Sequence, residues 1–563
     1  MSPSPATEPR PAVRPAEVSV TSAALHEAAL AVPEKLARSG GDSGGAGPGP
    51  AGRRRALHRL PWALLAIVAI QAALSLGLVW SNTAFQDEAL YLWAGHTEWS
   101  HWLHGAPVPA FQAYFSGSPV VYPPLGALAD TYGGLAAARL LSLGFMLGAT
   151  SLLYYVTHRI FGGRSAFFSA ALFAGLGVTQ FLGALATYDA MTVAMLALAT
   201  WLGIRAADSS PAPRLALLVL AGGALALADA TKYATSLFDP VVLAAVAMYG
   251  WRQRGRRAGV VAAAVPLLTL AVLLGAALQV GGHSYWQGVT FTTLARSGGD
   301  VPAPGILYVS AKWIGSVILL ALIGAASVFA KHHQWSMRFL AGILSGAVFL
   351  APAEQARINT VTSLFKHVGF GAWFGCIVGG FALASLLDAV PAPKVAGAVR
   401  VGLAVTIASA LVGIAFATSH FASWPDSGSF ISRLSPVAAA SHGPILEDNY
   451  IPEYYIPDLR WRTTITPFSF YYLDPVTGRK RRGPSAYADA INHSYFSIIA
   501  LGSTNTAQED ASISRDIAAA GTYRLAAVVP YVANGSHGVY KIWVRDTSRA
   551  GRKAAAGHDR RLH

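Results

Sequence analysis

The chain has 563 residues, of which 53% are hydrophobic and 12% are charged, about half the charged share of a typical soluble domain. This composition indicates that much of the surface faces lipid. The net charge of +14 lies in the tails and in short loops between apolar segments, which favours membrane orientation over nucleic-acid binding. The single cysteine, Cys376, excludes a disulfide framework and a thiolate metal cluster.

The first 57 residues are rich in Ala, Pro, Gly and Ser and lack the apolar periodicity of a core, so they are predicted to be a disordered cytoplasmic tail. Residues 58–417 then hold a series of apolar runs long enough to cross a bilayer. They predict a polytopic α-helical membrane domain of about eleven spans. The spans are placed at 60–81, 134–157, 166–185, 190–206, 214–231, 234–250, 258–280, 306–330, 337–353, 367–388 and 398–417.

Basic residues fall in every second loop, from Arg53–Arg55 before the first span to Lys394 and Arg400 between the last two. The first intervening loop, 82–133, has no Lys or Arg. By the positive-inside rule, the N-terminus is predicted to be cytoplasmic and this loop extracytoplasmic, in a multi-pass plasma-membrane protein. An odd number of crossings puts residues 418–548 outside as well.

Charged residues are found at one predicted membrane face. Asp87 and Glu88 open an amphipathic segment after the first span, and Asp189 lies at the outer end of the fourth. Lys232 ends the fifth span, and Lys366 and His367 begin the tenth. Each alone could be a helix cap or a snorkelling side chain. Together they suit a reaction at the water–lipid boundary, since a carboxylate can take a proton from a hydroxyl and a cation can stabilise a phosphate leaving group.

Two further segments are distinctive. Tyr122-Pro123-Pro124-Leu125 precedes the second span and predicts a stiff, non-helical interfacial turn. Residues 418–548 alternate short strand-like runs, at 444–446, 495–501 and 539–544, with helical stretches at 485–492 and 507–520. This alternation predicts an extracytoplasmic α/β domain, followed by a disordered basic tail at 549–563.

Five features of the chain resemble the layout of GT-C-fold glycosyltransferases in their order and in their predicted side of the membrane. They are Asp87-Glu88, the Tyr122 segment, Arg139, Asp189 and Lys232-Tyr233. The protein O-mannosyltransferase and lipid A aminoarabinose transferase superfamily is the most similar. The resemblance implies extracytoplasmic transfer of a sugar from a polyprenyl-phosphate donor to a hydroxyl of a cell-envelope glycan, lipid or protein. Direct attack assisted by one base implies inversion at the anomeric carbon. The alanine- and arginine-rich composition suggests a bacterial source.

The resemblance also implies roles for single residues. Catalytic roles fall to Asp87, Glu88 and Asp189. Donor-phosphate contacts fall to Lys232, Tyr233 and Arg139, and position alone adds Lys366 and His367. Site-shaping roles are assigned to Tyr91, Tyr122, Pro123 and Pro124. Carboxylates alone do not decide whether a divalent cation takes part. The C-terminal segment does not resemble the β-trefoil domain of eukaryotic protein mannosyltransferases, which argues against a protein acceptor.

Two other functions compete with this hypothesis. A transporter or lipid flippase should carry inverted repeats and buried charge at mid-membrane, whereas here the charges lie at one face. A non-catalytic envelope scaffold would not need acids and lysines gathered there, although it would accommodate a soluble outer domain equally well.

Overall fold

The fold was analysed in a computed structural model that describes residues 62–296, 298–388, 395–459, 462–465, 470–475, 477–502 and 506–548. The tails predicted at 1–57 and 549–563 lie outside these described residues. Helices dominate up to residue 421, and strands occur only beyond residue 444 within the described part of the chain. The predicted class, a polytopic helical membrane protein with a C-terminal α/β domain, is confirmed.

The apolar runs and the segments that connect them form fourteen described α-helices up to residue 421. They are α1 Trp62–Val79, α2 Gln86–His104, α3 Tyr122–Phe161, α4 Gly163–Gly175, α5 Gly177–Leu182, α6 Tyr188–Ala207, α7 Pro211–Thr231, α8 Asp239–Arg254, α9 Arg256–Val289, α10 Ala303–Lys331, α11 Trp335–Gly346, α12 Leu350–Arg357, α13 Leu364–Asp388 and α14 Val395–Phe421. A 3₁₀ turn at Tyr233–Phe238 leads into α8, and another at Ala347–Phe349 joins α11 to α12. Ten helical segments among the described residues are long and apolar enough to cross a membrane.

The predicted span 166–185 is broken into α4 and α5, which explains why it is missing from those ten. Leu176 between them has an extended backbone, with φ −67° and ψ 141°. A Cβ on Gly413 of α14 would lie 2.2 Å from the Gly175 carbonyl oxygen. The close approach of α14 therefore requires glycine there, and it lets the broken segment pack tightly in the bundle.

The second predicted span begins earlier than expected. Pro123 and Pro124, predicted to form a non-helical turn, instead occupy the first turn of α3. This expectation was wrong because a proline in the first helical turn removes only an N–H that has no partner within the helix. The 40-residue α3 is bent at Gly133 and Gly134, where Gly134 has φ +64°. The bend separates an initial stretch packed under α2 from the membrane-spanning part.

The C-terminal domain begins with α15 Gly428–Ala439 and is built around a mixed sheet. Its elements are β1 Ile445–Glu447, α16 Ile451–Tyr455, β2 Thr463–Ile465, β3 Tyr471–Leu473, β4 Lys480–Arg482, α17 Pro484–Asn492, β5 Ile498–Leu501, α18 Ala507–Ala520, β6 Tyr523–Ala533 and β7 Ser536–Arg545. In the described residues the main sheet has the order β2-β1-β5-β7-β6. Strand β1 pairs in parallel with β2 and β5, while β7 is antiparallel to β5 and β6.

The hydrophobic core of the bundle surrounds α13, whose side chains Phe370, Trp373 and Phe374 are buried. The described residues from Trp62 to Ser548 belong to one compact unit, in which the C-terminal domain packs directly on the bundle. Its helix α16 lies against α2, and Tyr450 and Ile451 share a hydrophobic cluster with Tyr91 and Trp93. This packing places the carboxyl end of β1 beside the first turn of α2.

Candidate active site

Glu88 and Arg139 form a fully buried ion pair behind the first turn of α2. The Arg139 Nε and Nη2 atoms donate to the two Glu88 carboxylate oxygens at 2.8 and 2.7 Å. The remaining Arg139 N–H groups donate to the carbonyl oxygens of Val79, Asn82 and Thr83. All five donors of the guanidinium are therefore used within the protein. Because these bonds use every N–H of Arg139 within the protein, the donor-phosphate contact expected of this residue stays a prediction.

Glu88 is equally saturated. Its oxygens also accept the backbone N–H of Phe85 at 2.9 Å and that of Ala186 at 2.7 Å. The first bond caps α2 and the second ties that helix to the connection before α6. Glu88 therefore fixes where α2 begins, and with it the position of its neighbour Asp87.

Four charged side chains from four parts of the chain form a continuous network. The Lys366 Nζ lies 2.5 Å from Asp87 Oδ2 and 3.7 Å from Asp189 Oδ2. The Lys232 Nζ lies 2.5 Å from Asp189 Oδ1, and the Thr187 hydroxyl donates to the other oxygen of Asp189. Two carboxylates and two ammonium groups alternate in space, which compensates the cost of their burial.

Only one member of this network is accessible. The side chain of Asp87 is 25% exposed, whereas those of Lys366, Asp189 and Lys232 are exposed by 1% or less. Asp189 lies in the first turn of α6 and Lys232 directly follows α7. Asp189, Lys232 and Lys366 thus lie at the ends of helices that are long and apolar enough to cross a membrane.

Aromatic rings enclose the network. The Tyr91 ring stacks on Tyr188 at 4.4 Å between centroids, and the Lys232 Nζ lies 4.6 Å from the Tyr188 centroid. Burial raises the pKa of the Tyr91 hydroxyl well above its ordinary value, so it stays a neutral hydrogen-bonding group. The His367 Nδ1 pairs with Gln355 Nε2 at 2.9 Å, while its Nε2 is buried and has no hydrogen-bond partner among the residues that the structure describes. His367 therefore has one nitrogen available to a ligand.

The other predicted residues support the site from a distance. The Tyr122 hydroxyl lies 3.3 Å from that of Ser142, inside the bundle. The Trp99 indole donates to the Pro124 carbonyl, and Gly95 of α2 packs on the Pro123 carbonyl. Tyr233 is buried, and its backbone N–H donates to the Ser116 carbonyl. The Tyr122-Pro123-Pro124 segment thus supports α2 by packing.

A cavity of about 480 Å³ opens beside Asp87. It is lined by Phe85, Gln86, Asp87, Thr362, Ser363, Phe365, Ser423, Trp424, Pro425, Asn449, Ile451 and Tyr540. Most of these residues were missed from the sequence, because they come together only by tertiary contact. One signal was available, since Asn449 directly follows a strand-like run and carboxyl ends of strands commonly carry ligand-binding groups.

Comparisons with known proteins agree with this fold. Residues 131–278 match the family model described as dolichyl-phosphate-mannose-protein mannosyltransferase. That match includes Arg139, Asp189 and Lys232 but ends before Lys366 and begins after Asp87. A comparison with the curated proteins finds no match.

Three solved structures share the architecture. The archaeal oligosaccharyltransferase AglB of Archaeoglobus fulgidus, in complex with an inhibitory peptide and a dolichol-phosphate, is 12% identical, with 85% of this chain and 74% of that chain covered and a TM-score of 0.53. An Archaeoglobus fulgidus oligosaccharyltransferase complex with Zn and sulfate is 15% identical (85% and 72% covered, TM-score 0.51). ArnT of Cupriavidus metallidurans bound to undecaprenyl phosphate is 15% identical (85% and 97% covered, TM-score 0.52).

At these identities the structures show a common fold, and the family match adds an independent sequence relationship. The dolichol-phosphate and the undecaprenyl phosphate belong to the AglB and ArnT complexes, and the matches agree with the fold expected from the sequence. The chain is therefore a multi-pass membrane protein of the GT-C glycosyltransferase fold, with a match to the dolichyl-phosphate-mannose-protein mannosyltransferase family over residues 131–278.

Proposed function

We propose that this protein transfers a sugar from a polyprenyl-phosphate donor to a hydroxyl acceptor on the extracytoplasmic face of a bacterial plasma membrane. One observation carries the proposal: Asp87 is the accessible end of an otherwise buried acid–lysine network and lines a cavity. The Lys/Arg bias of the loops supports a cytoplasmic N-terminus and an outer cavity.

In the proposed reaction, the acceptor oxygen forms a bond to the anomeric carbon as the bond from that carbon to the phosphate oxygen breaks. The acceptor proton passes to the Asp87 carboxylate, and the polyprenyl phosphate leaves with the bonding electron pair. A positioned base contributes about 10²–10⁴-fold to such a step. Because a single displacement occurs, the anomeric configuration inverts.

Lys366 is the cation best situated for the phosphate, since its ammonium lies between Asp87 and Asp189 at the cavity end of the network. Negative charge develops on the phosphate as the bond breaks, and a fixed ammonium stabilises it. The assignment of Lys232 to the donor phosphate stays a prediction. Its ammonium pairs with Asp189, and it lies at the end of the network that is farther from Asp87 and the cavity. The unbonded His367 Nε2 is a further candidate contact.

The donor set of this site does not suit a resident divalent cation. Among the described residues, no group of three or more His, Cys, Asp or Glu side chains could hold a metal ion. The carboxylates of Asp87 and Asp189 each have a lysine ammonium at 2.5 Å. These ammonium groups occupy the positions, and supply the positive charge, that a divalent metal ion would otherwise provide. We expect donor-dependent transfer by the purified protein to persist in excess EDTA, and abolition by EDTA with rescue by one metal would contradict this.

The decisive test is Asp87→Asn, measured as sugar transfer from a radiolabelled polyprenyl-phosphate sugar by protein in proteoliposomes. We expect transfer to fall by about 10²–10⁴-fold, while the variant keeps its elution profile and its affinity for polyprenyl phosphate. Asp426→Asn is the matched control. Asp426 is an exposed carboxylate beside the cavity that caps the Gly428 N–H at 2.8 Å, and its loss of charge should leave transfer unchanged. A folded Asp87→Asn protein with near wild-type transfer would refute the proposal.

A further inference from the structure

The cavity beside Asp87 has two walls of different origin. Phe85, Phe365 and Trp424 come from the ends of membrane-domain segments. Asn449, Ile451 and Tyr540 come from the C-terminal domain. The C-terminal domain therefore completes a chamber that the bundle alone leaves open, next to the accessible side chain of Asp87.

The C-terminal wall is anchored firmly to the bundle. The segment 449–455, which contains α16, is held at its far end by two tyrosines. The Tyr455 hydroxyl accepts the Ala84 N–H at 2.9 Å, and the Tyr454 hydroxyl donates to Asp130 at 2.6 Å. The other Asp130 oxygen lies 2.7 Å from His96 Nε2. At its near end, the Asn449 side-chain oxygen accepts the Ile451 N–H at 2.9 Å. A wall tied to the bundle at one end and braced by an internal hydrogen bond at the other is suited to selecting a ligand by shape.

The chemistry of the lining points to one class of ligand. Four lining side chains are aromatic, and five are uncharged polar groups that can bond to hydroxyls. Among the described residues that line the cavity, only Asp87 has a charged side chain. No lysine or arginine is among the described residues that line the cavity, so a phosphate inside it would meet the Asp87 carboxylate without a lining cation. A sugar ring, by contrast, has apolar C–H faces that stack on aromatic rings and a rim of hydroxyls.

The volume agrees with such a ligand. About 480 Å³ lies within the roughly 300–1,000 Å³ range of small-ligand sites, which combine apolar and aromatic walls with a few directed polar groups. The Trp424 indole is oriented by its bond to the Thr83 carbonyl at 3.0 Å. A preset aromatic face lowers the entropic cost of binding.

We infer that this cavity is the acceptor site, that the acceptor is a neutral saccharide, and that residues 449–451 and Tyr540 of the C-terminal domain select it. The inference rests on the proposed function, because it assigns the attacking hydroxyl to a sugar held with that hydroxyl at Asp87. The donor phosphate then lies on the opposite side, toward Lys366. The C-terminal domain is a specificity element, and domains grafted at this position would change the acceptor and leave donor use intact.

The test measures binding directly, on full-length Asp87→Asn protein in nanodiscs, so that turnover does not consume the acceptor. The probes are an array of neutral oligosaccharides, an array of Ser/Thr-containing peptides, and undecaprenyl phosphate. Two added variants place bulk in the cavity from different sides: Ser423→Trp in the wall and Thr362→Trp at the exposed rim. Ser432→Trp, on the exposed face of α15 and outside the cavity, is the matched control.

We expect one or more neutral oligosaccharides to bind, and both cavity variants to weaken that binding by about tenfold or more, equivalent to about 1.4 kcal/mol. Ser432→Trp should bind as the parent does, and undecaprenyl phosphate should bind equally to all four proteins. Peptide binding in place of oligosaccharide binding, or oligosaccharide binding that neither cavity variant weakens, would overturn the inference and leave the proposed function standing. Failure of the wild-type protein to bind undecaprenyl phosphate would overturn both.

Discussion

The Glu88→Gln variant tests whether Glu88 supports the site through its contacts, in contrast to Asp87, which is proposed to take part in the reaction. The change keeps the size of the side chain but removes the charge that pairs with Arg139. Wild-type Glu88 accepts four hydrogen bonds, two from Arg139 and one each from the Phe85 and Ala186 N–H groups. Each carboxylate oxygen accepts one guanidinium N–H and one backbone N–H. An amide has one oxygen, so its NH₂ must face one donor of each kind, and neither can accept from it.

The magnitude follows from this contact set. Removing one partner of a buried ion pair costs about 3–5 kcal/mol, mostly because the remaining charge is left uncompensated. Arg139 keeps its bonds to three carbonyl oxygens, which limits the loss to that range. Asp87→Asn removes a charge only one residue away, but at a side chain that is 25% exposed. Lys366 keeps the Asp189 carboxylate at 3.7 Å, and the asparagine oxygen can still accept its N–H. The cost in free energy of unfolding should therefore be about 1–3 kcal/mol, below that of Glu88→Gln.

The free energy of unfolding can be measured in bicelles by trapping the unfolded state with a bound tag, together with transfer activity on the folded fraction. We expect Glu88→Gln to lose stability and Asp87→Asn to lose transfer. Combining Glu88→Gln with Arg139→Gln should cost less than the sum of the two single changes, since the two side chains contact each other. A Glu88→Gln protein as stable as wild type, or strict additivity in the double variant, would refute the assigned positioning role.

Three further predictions address other parts of the molecule. Lys232→Ala should weaken undecaprenyl phosphate binding, measured by native mass spectrometry, while Lys232→Arg should retain part of it; unchanged affinity in the alanine variant would remove Lys232 from the donor site. Burial raises the pKa of the Glu453 carboxyl from 4.5 to about 8. The folded state therefore binds that proton more tightly than the unfolded state, so stability is complete below about pH 4.5 and declines as pH rises to about 8. Glu453→Gln should flatten this decline in thermal melts recorded at several pH values, and an unchanged pH profile would argue against the buried neutral acid. Ser485→Cys, on an exposed part of the C-terminal domain, should react with a membrane-impermeant maleimide in intact cells, because the native Cys376 is buried; labelling only after lysis would reverse the topology.

Much of the fold follows from local sequence pattern. A run of about 20 apolar residues has few alternatives to a membrane helix, because backbone polar groups cannot stay unbonded in lipid. Helices α17 and α18 likewise begin and end within one residue of the predicted limits, since their periodicity and turn residues are local signals. The broken α4–α5 segment and the first turn of α3 are different. They depend on the close packing of Gly413 and on the packing of Pro123 beneath α2, which no window of sequence contains.

For the site, the order of residues indicates which positions carry charge and, through the ends of the apolar runs, that they lie near one face. Their partners depend on tertiary packing. Glu88 pairs with Arg139, 51 positions away in sequence, and Lys366 pairs with Asp87, 279 positions away. As a result, the Glu88 carboxylate is buried with all its hydrogen bonds made inside the protein, whereas the carboxylate of the adjacent residue Asp87 is accessible. The reason is geometric: consecutive residues on a helix point about 100° apart, so one of the pair faces the bundle and the other faces the cavity that the C-terminal domain closes.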